Sequence, residues 1–507
     1  MTTSAYEHLQ IWFRDIWAVN DALAILNRDM ITVMPEGAGD SRTQQIASLS
    51  KVVHEKMSDP RLKDWINEAR GHLPAGESEW HEANLALMER SYLHSATLPS
   101  YLSEKLSRMA TIGEQNQTKW VKTNDWESAR EHFRAFFALK QEAAKIKQDA
   151  LGTDTEYDAL IDEFDPYSSS AKIAAVFGPV EEFLRKAIPQ AVEKTKDNPQ
   201  AASALKGPFK QEHQGELFRV VAESLGFDFK RGRMELIPAH PSCYGASDDQ
   251  RFTTRIDEDS FIEPLRTSIH EIGHGLYEQN LPLAWRYNPV GASVGMTIHE
   301  SQSLFWERQV ALNPHFYHWL APLVHNCFGL DEGGDKAAHD YLFSHKTTVQ
   351  PSLIRVEADE MTYPMHVFLR FDLERRIIEG DVTADTLPEA WNAGMKERLG
   401  IEPPNNAKGC MQDVHWFAGL FGYFPSYSLG AMVAAQLEAA MRKDLHDFDE
   451  KIESGDFKPV LKWLTTHIHA NGSRYRPMDL VKVATGETLN SKYFIDHLTK
   501  RYLGGAS

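Results

Sequence analysis

Cysteine is scarce in this chain. It has three, Cys243, Cys327 and Cys410, in 507 residues. An odd number of widely separated thiols excludes a disulfide framework and a cysteine-only zinc site, and predicts reduced cysteines. Long apolar runs are absent too. The most apolar late stretch, Leu429 to Ala435, falls far short of the ~20 residues that span a bilayer. Positive charge is in deficit: 54 Lys and Arg stand against 72 Asp and Glu, a net charge of −18. That disfavours nucleic acid and anionic membrane as partners, since both need a basic surface. The first ten residues, M-T-T-S-A-Y-E-H-L-Q, lack a basic segment followed by an apolar one, so a cytoplasmic location is expected. There is no Pro/Gly/Ser-rich spacer, low-complexity tract or clear repeat. The chain is therefore read as one domain, 1–507, with a helical N-terminal half (1–225) and a second half (226–507) that carries the motifs below.

Hydrophobic periodicity makes the fold mainly α. In Tyr6–Arg28, Leu9, Phe13, Ile16 and Leu23 recur at helical spacing. Helices also fit Gln44–Met57, Glu77–Ser95, Ser100–Thr123, Asp125–Leu151 and Ala171–Lys194, as long antiparallel hairpins. The aromatic stripe Trp120, Trp126, Phe133, Phe136 and Phe137 reads as core. A small β region is expected near residue 230. Phe227-Asp228-Phe229 and Met234–Ile237 flank a Lys-Arg-Gly-Arg turn as a hairpin, and Arg251–Asp257 follows as a third strand.

The most informative stretch is H-E-I-G-H, residues 270 to 274. On a helix, His270 and His274 share one face. Two imidazoles there can hold one zinc ion, and Glu271 between them can take a proton from a water that the metal activates. That is the core of a metal-dependent peptide hydrolase. Ser260 and Glu263 read as a capping box that starts the helix, with Pro264 next. Phe261, Leu265, Ile269, Ile272 and Leu276 form an apolar stripe. Thr267, His270, Glu271, His274 and Glu278 lie opposite, facing a cleft. Gly273 and Gly275 each cost a helix about 1 kcal/mol, which a close approach of backbone or substrate would explain. The pairs His54-Glu55 and His81-Glu82 have no second histidine at the required place and read as solvated helix faces.

Zinc needs a third protein ligand and an open position. The metzincin pattern is excluded, because Tyr277 and Asn280 stand where it needs Gly and His. Glu300, in T-I-H-E-S-Q, lies 26 residues beyond His274, enough for a turn and an antiparallel helix. Thr297-x-x-Glu300 also reads as a capping box, so the residues leave both roles open. Glu278, on the histidine helix itself, is better placed to orient a ligating histidine.

Together these motifs resemble the carboxypeptidase Taq family of metallopeptidases. The resemblance rests on H-E-I-G-H, His299-Glu300-Ser301-Gln302, Ile354-Arg355-Val356-Glu357-Ala358-Asp359, Gly409–Trp416 (G-C-M-Q-D-V-H-W) and Asp249-Gln250-Arg251-Phe252-Thr253. It spans Ala239 to about Leu429, and the helical N-terminal half is consistent with it. One motif departs: the family's H-P-F is His240-Pro241-Ser242, so an aromatic wall is lost. The resemblance implies His270, His274 and Glu300 as zinc ligands and Glu271 as general base. It further implies one large helical domain with a deep central groove, a small sheet beside the zinc helix, and a homodimer. The implied activity is removal of single residues from peptide C-termini, with broad preference except proline and with cobalt able to replace zinc.

Residue chemistry adds further candidates. Phe421–Tyr427 resembles the tyrosine-bearing loop of related zinc peptidases, with Tyr423 as oxyanion donor and Tyr427 as substrate contact or alternate donor. A carboxypeptidase must hold a free carboxylate, which a planar guanidinium matches; Arg355 is the candidate, against a helical salt bridge to Asp359. His240, Arg251, Gln412 and His415 are candidate groove residues, whereas His366 reads as a core histidine. The alternatives are an oligoendopeptidase or dipeptidyl carboxypeptidase of the same cleft-type class, and a non-catalytic peptide-binding protein.

Overall fold

The computed structural model describes residues 4–196, 207–237, 241–246, 248–330, 334–344 and 348–504. The fold is mainly α, with a small three-stranded sheet. The predicted N-terminal helices form nearly as read: Ala5–Thr32, Gly39–Met57, Ser78–Ala96, Ser100–Thr123, Trp126–Leu151 and Ser170–Thr195. Their ends have local causes. Ser4 and Glu7 close a capping box on the first helix, and Asp125 accepts from Ser128 N at 3.2 Å to start the fifth of them. The first three, together with Arg61–Ala69, share a small core around Leu9, Phe13, Leu62 and Met88. The remainder of the chain builds one large core.

The sheet is not the hairpin that the sequence suggested. Its strands are β1 (Gly232–Leu236), β2 (Ser242–Ala246) and β3 (Asp249–Thr254), in the order β1-β3-β2. β1 runs parallel to β3 and β2 antiparallel to it. Phe227-Asp228-Phe229 forms no strand. The Phe227 ring is drawn inward against Phe229 and Phe252, at centroid distances of 5.0 and 5.1 Å. Burial of an aromatic on the inner side of the sheet overrides the local hairpin signal. β2 was not foreseen, because its polar Ser242 and Gly245 disguise it.

The histidine helix spans Ile262–Gln279. Its stripe of Phe261, Leu265, Ile269, Ile272 and Leu276 is almost fully buried, each residue contributing about 1.5–3 kcal/mol. The Ser260–Glu263 capping box does not form. Phe261 is the N-cap without a side-chain bond, Ser260 Oγ lies 3.3 Å from Tyr341 Oη, and Glu263 pairs with Arg266. Two further helices pack beside it: Gly295–Leu304, which carries Glu300 and continues as a wide π turn over Phe305–Val310, and Pro425–Asp444. The apolar stretch 429–435 is buried in the latter. No described helix is long and apolar enough to cross a membrane.

The aromatic stripe is core, as read, and encloses His132. This ring lies 5.4–5.8 Å from those of Phe136, Trp120 and Phe417. Burial pushes its pKa down to about 4 from the unfolded value of ~6.5. The unfolded state therefore takes up the proton first. This part of the stability is complete above pH ~6.5 and is lost as pH falls toward 4, by about 3 kcal/mol. Chemical denaturation of His132→Phe is expected to show a smaller loss of stability between pH 7 and 4.5 than the parent; an unchanged pH slope would refute this.

Candidate metal centre and active site

His270 and His274 project from one face of their helix, with rings 4.9 Å apart and nearly perpendicular. Glu300 approaches from the neighbouring helix. Its carboxylate oxygens lie 3.7 Å from His270 Nε2 and 3.6 Å from His274 Nε2, and one ligand atom from each residue falls within 4.8 Å of the others. Two imidazole nitrogens and one carboxylate oxygen form a donor set suited to zinc, and bonds of ~2.0–2.2 Å to one ion need donors about 3.4 Å apart. The residues thus fit a divalent cation, with the remaining coordination open.

Close backbone packing sets these distances. A Cβ on Gly273 would lie 2.6 Å from Ser303 Cα and 2.8 Å from Gln302 O. One on Gly430, from the Pro425–Asp444 helix, would lie 2.9 Å from Glu300 Cβ. Glycine at both positions lets three helices close around the carboxylate; Gly275 instead faces the Phe227 ring. Thr297 does not cap its own helix. Its N–H and hydroxyl donate to Asp165 at 2.9 and 2.6 Å, and Ser426 Oγ donates to the same carboxylate at 2.8 Å. Asp165 therefore pins the helix bearing Glu300 to the segment bearing Tyr423.

Glu278 was expected behind a ligating histidine. It bonds His299 Nε2 at 3.0 Å instead, and His299 stacks on His274 at 4.6 Å. The carboxylate behind one of the two candidate ligands is Glu307, whose Oε2 lies 2.8 Å from His270 Nδ1. It sits in the π turn, a distortion the sequence did not announce. Burial opposes its charge, but His270 and Arg308 hold it ionised, with a pKa near 2. Glu271 is buried and pushed up to about 7, first by desolvation, with the Glu300 carboxylate adding to it.

Arg355 is buried, in a single 3-10 turn. Its partner is not Asp359, which accepts from backbone at Gln350, Met361 and Thr362. Arg355 Nε donates to Asp413 at 2.9 Å and Nη1 to Tyr363 Oη at 2.6 Å. Arg370 shares Asp413 through Nε and Nη2. Two guanidiniums on one carboxylate leave a unit of positive charge. Among the described residues, Arg355 Nη2 donates to nothing. Gln412 is partly buried and its amide is engaged: its Oε1 accepts from Arg355 N and Arg370 Nη2, and its Nε2 donates to Leu353 O. It fixes Arg355 in place. The Tyr427 ring lies under the Arg355 guanidinium at 4.9 Å, and its hydroxyl meets His415 Nε2 at 3.0 Å. Tyr423 is 5.3 Å from Tyr427, centroid to centroid. Burial, with the Glu300 charge adding, raises its pKa above the usual tyrosine value, so it keeps its proton. The turn before it is held by Gly422 N–H, which donates to the buried Glu374 at 2.9 Å.

Arg251 lies in β3, paired with Asp249 at 2.8 Å and facing Glu235 at 3.8 Å. Ser242, where the aromatic is missing, accepts through Oγ from Arg28 Nη1 at 3.0 Å. Arg28, fully buried in the first helix, also pairs with Glu235. His240 lies outside the described residues. His366 is fully buried, with Nδ1 3.5 Å from Arg370 Nη1.

The family described as carboxypeptidase Taq (M32) metallopeptidase matches residues 8–502. The chain belongs to that family. It is 32% identical to thermostable carboxypeptidase 1 of Thermus thermophilus, covering 98% of each chain. It is also 32% identical to carboxypeptidase 1 of Bacillus subtilis, covering 95% of each. Among solved structures, Trypanosoma cruzi metallocarboxypeptidase 1 superposes with a TM-score of 0.94 at 33% identity, covering 99% of this chain and 100% of the other. The protein is a metallocarboxypeptidase of this family, its chemistry requires a metal ion, and its substrates are peptides.

The residues that sequence reasoning missed are those behind the site: Glu307, Asp413, Arg370, Tyr363, Asp165 and Arg28. Asp413 stood inside a quoted motif and was the one such signal available. Glu307→Gln is expected to weaken metal binding about 10–100-fold, as loss of a carboxylate behind a ligating histidine does. Competition with a chelator measures this, and an unchanged affinity would overturn the role given to Glu307.

Proposed function

We propose that the enzyme is a zinc carboxypeptidase that removes single C-terminal residues with broad preference except proline, working as a cytoplasmic homodimer with cobalt able to replace zinc. His270, His274 and Glu300 hold the ion. The whole chain, 1–507, acts as one domain whose second half (226–507) supplies the catalytic residues. The observation that carries this reading is the pairing of the two-histidine, one-glutamate cluster with a buried arginine whose Nη2 has no partner among the described residues. The ion, when bound, supplies Lewis acidity toward the scissile carbonyl and acidifies water.

The chain's own residues do the remainder. Glu271 takes no hydrogen bond from the described protein groups, and its raised pKa suits a group that accepts a proton from water and returns it to the leaving amine. Tyr423 Oη donates to the oxyanion that develops on the substrate. Arg355, held by Asp413 and Gln412, directs Nη2 to the terminal carboxylate. Tyr427, with His415 on its hydroxyl, forms the aromatic floor beneath it. Arg251 belongs to the groove wall near the sheet, where its ion pairs with Asp249 and Glu235 suit a supporting part; His240 is assigned to substrate binding on its sequence motif alone.

Glu271→Gln is expected to retain metal and to lose turnover by about 10²–10⁴-fold, the usual worth of a positioned base. Turnover near that of the parent, with metal content verified, would refute the assignment. Arg355→Ala is expected to lower kcat/KM on free C-termini about 10–100-fold. It should affect the matching amidated peptides far less. Equal losses on both would remove the carboxylate role.

A further inference from the structure

Beside the metal cluster lies a cavity of about 780 Å³ that none of the roles above uses. It shares two walls with the site. His299 lines it and stacks on His274; Phe164 lines it and meets the Tyr423 ring edge-on at 5.1 Å. The far walls are Phe13 and Trp17 of the first helix, Arg90 of Ser78–Ala96, and the segment Arg474–Pro477. The cavity thus joins the small N-terminal core to the large one.

Its place relative to Arg355 fixes which part of a peptide it meets. At the His270 end of the cluster stand Glu307, bonded to that histidine, and Arg308, whose guanidinium lies 5.6 Å from the Tyr363 ring. Tyr363 in turn holds Arg355. The cavity adjoins the opposite end, at His274 and His299. A peptide whose terminal carboxylate lies at Arg355 and whose last bond lies at the metal must send its upstream residues into the cavity. Extended chain advances ~3.3 Å per residue, so several residues fit.

The charge of this cavity opposes that of the protein. The molecule carries −18, yet the cavity is lined by Arg90, Lys147, Arg474 and Arg476 against one carboxylate, Glu163. Lys147 pairs with Glu163, and Arg90 pairs with Asp162 at 2.9 Å. Arg474 and Arg476 have no carboxylate partner among the described residues. Arg474 donates to Asn471 Oδ1 at 2.7 Å, its buried Nε bonds nothing, and its guanidinium lies over Trp80 and Tyr475. The Arg476 guanidinium lies 4.2 Å from the Tyr167 ring centroid. Aromatic faces hold both arginines in place without neutralising them.

The geometry points to an upstream subsite that selects peptides with an acidic side chain N-terminal to the scissile bond, read by Arg474 and Arg476. This rests on the carboxypeptidase reading for its direction. It deepens that reading by naming a substrate class.

The test uses N-acetylated pentapeptides that share one C-terminal residue and carry a single Glu, Ala or Lys at the second, third or fourth position before the scissile bond. At low salt, Glu at one or more of these positions is expected to raise kcat/KM at least about fivefold over Ala, with Lys below Ala. The spread should shrink in ~0.5 M salt, which screens charges beyond a few ångströms. Arg474→Gln and Arg476→Gln should each reduce the Glu-to-Ala ratio, and each variant's own Ala peptide serves as its reference. Equal rates for Glu, Ala and Lys in the parent enzyme would overturn the subsite. Should either variant fail to fold, the salt series on the parent decides alone. Should no peptide be hydrolysed, the carboxypeptidase reading fails. Fluorescence anisotropy of peptides of the same sequences, carrying an N-terminal fluorophore in place of the acetyl group, on metal-loaded protein then tests the subsite separately: tighter binding of Glu peptides supports it and equal binding refutes it.

Discussion

The structure depends on one close contact between backbones. The histidine helix and the helix bearing Glu300 touch at Gly273 and Ser303, and the Pro425–Asp444 helix touches Glu300 at Gly430. A methyl group at either glycine would meet atoms under 3 Å away. Moving these helices apart by even one ångström would spread the three donors beyond the reach of a single ion. Each glycine costs its own helix about 1 kcal/mol. The apolar stripe on the buried side of the histidine helix offsets that, through residues whose burial is worth more.

Around this contact the enzyme buries charge in quantity, and each charge serves position. Glu307 orients His270, Asp413 orients Arg355 and Arg370, and Asp165 ties Thr297 to Ser426. Buried ion pairs add little net stability, because desolvation consumes most of the attraction. What they give is direction. A ligating imidazole with a fixed Nδ1 partner has one orientation, and an arginine with three of its donors' directions set by Asp413, Tyr363 and Gln412 presents its remaining edge to one place. The opposite arrangement appears at Arg474 and Arg476, which rest on aromatic rings and have no carboxylate partner among the described residues.

Legibility followed the range of the interaction. The first helix was readable to within a few residues because Leu9, Phe13 and Ile16 recur at the helical period. His270, Glu271 and His274 were readable because four residues make one helical turn. The Phe227 hairpin failed because an aromatic that looks like a strand residue is taken by the core against Phe252. The Ser260–Glu263 box failed because Arg266 and Tyr341 compete for its two side chains. For Gln412 a sequence shows a polar residue in a motif but not its partners; the fold bonds its amide to Arg355 and Arg370.

The sequence by itself determined the helix face that carries His270, Glu271 and His274, and the family, since these rest on local periodicity and on residue types at short spacing. Only the tertiary structure decided that Thr297 is capped by Asp165, which leaves Glu300 to the histidines; that Glu307 stands behind His270; that Asp413, not Asp359, holds Arg355; and that an arginine-lined cavity opens beyond His274. Each of these joins residues from separate elements. Such contacts follow from how packed helices exclude volume and satisfy buried charge, and no local spacing encodes them.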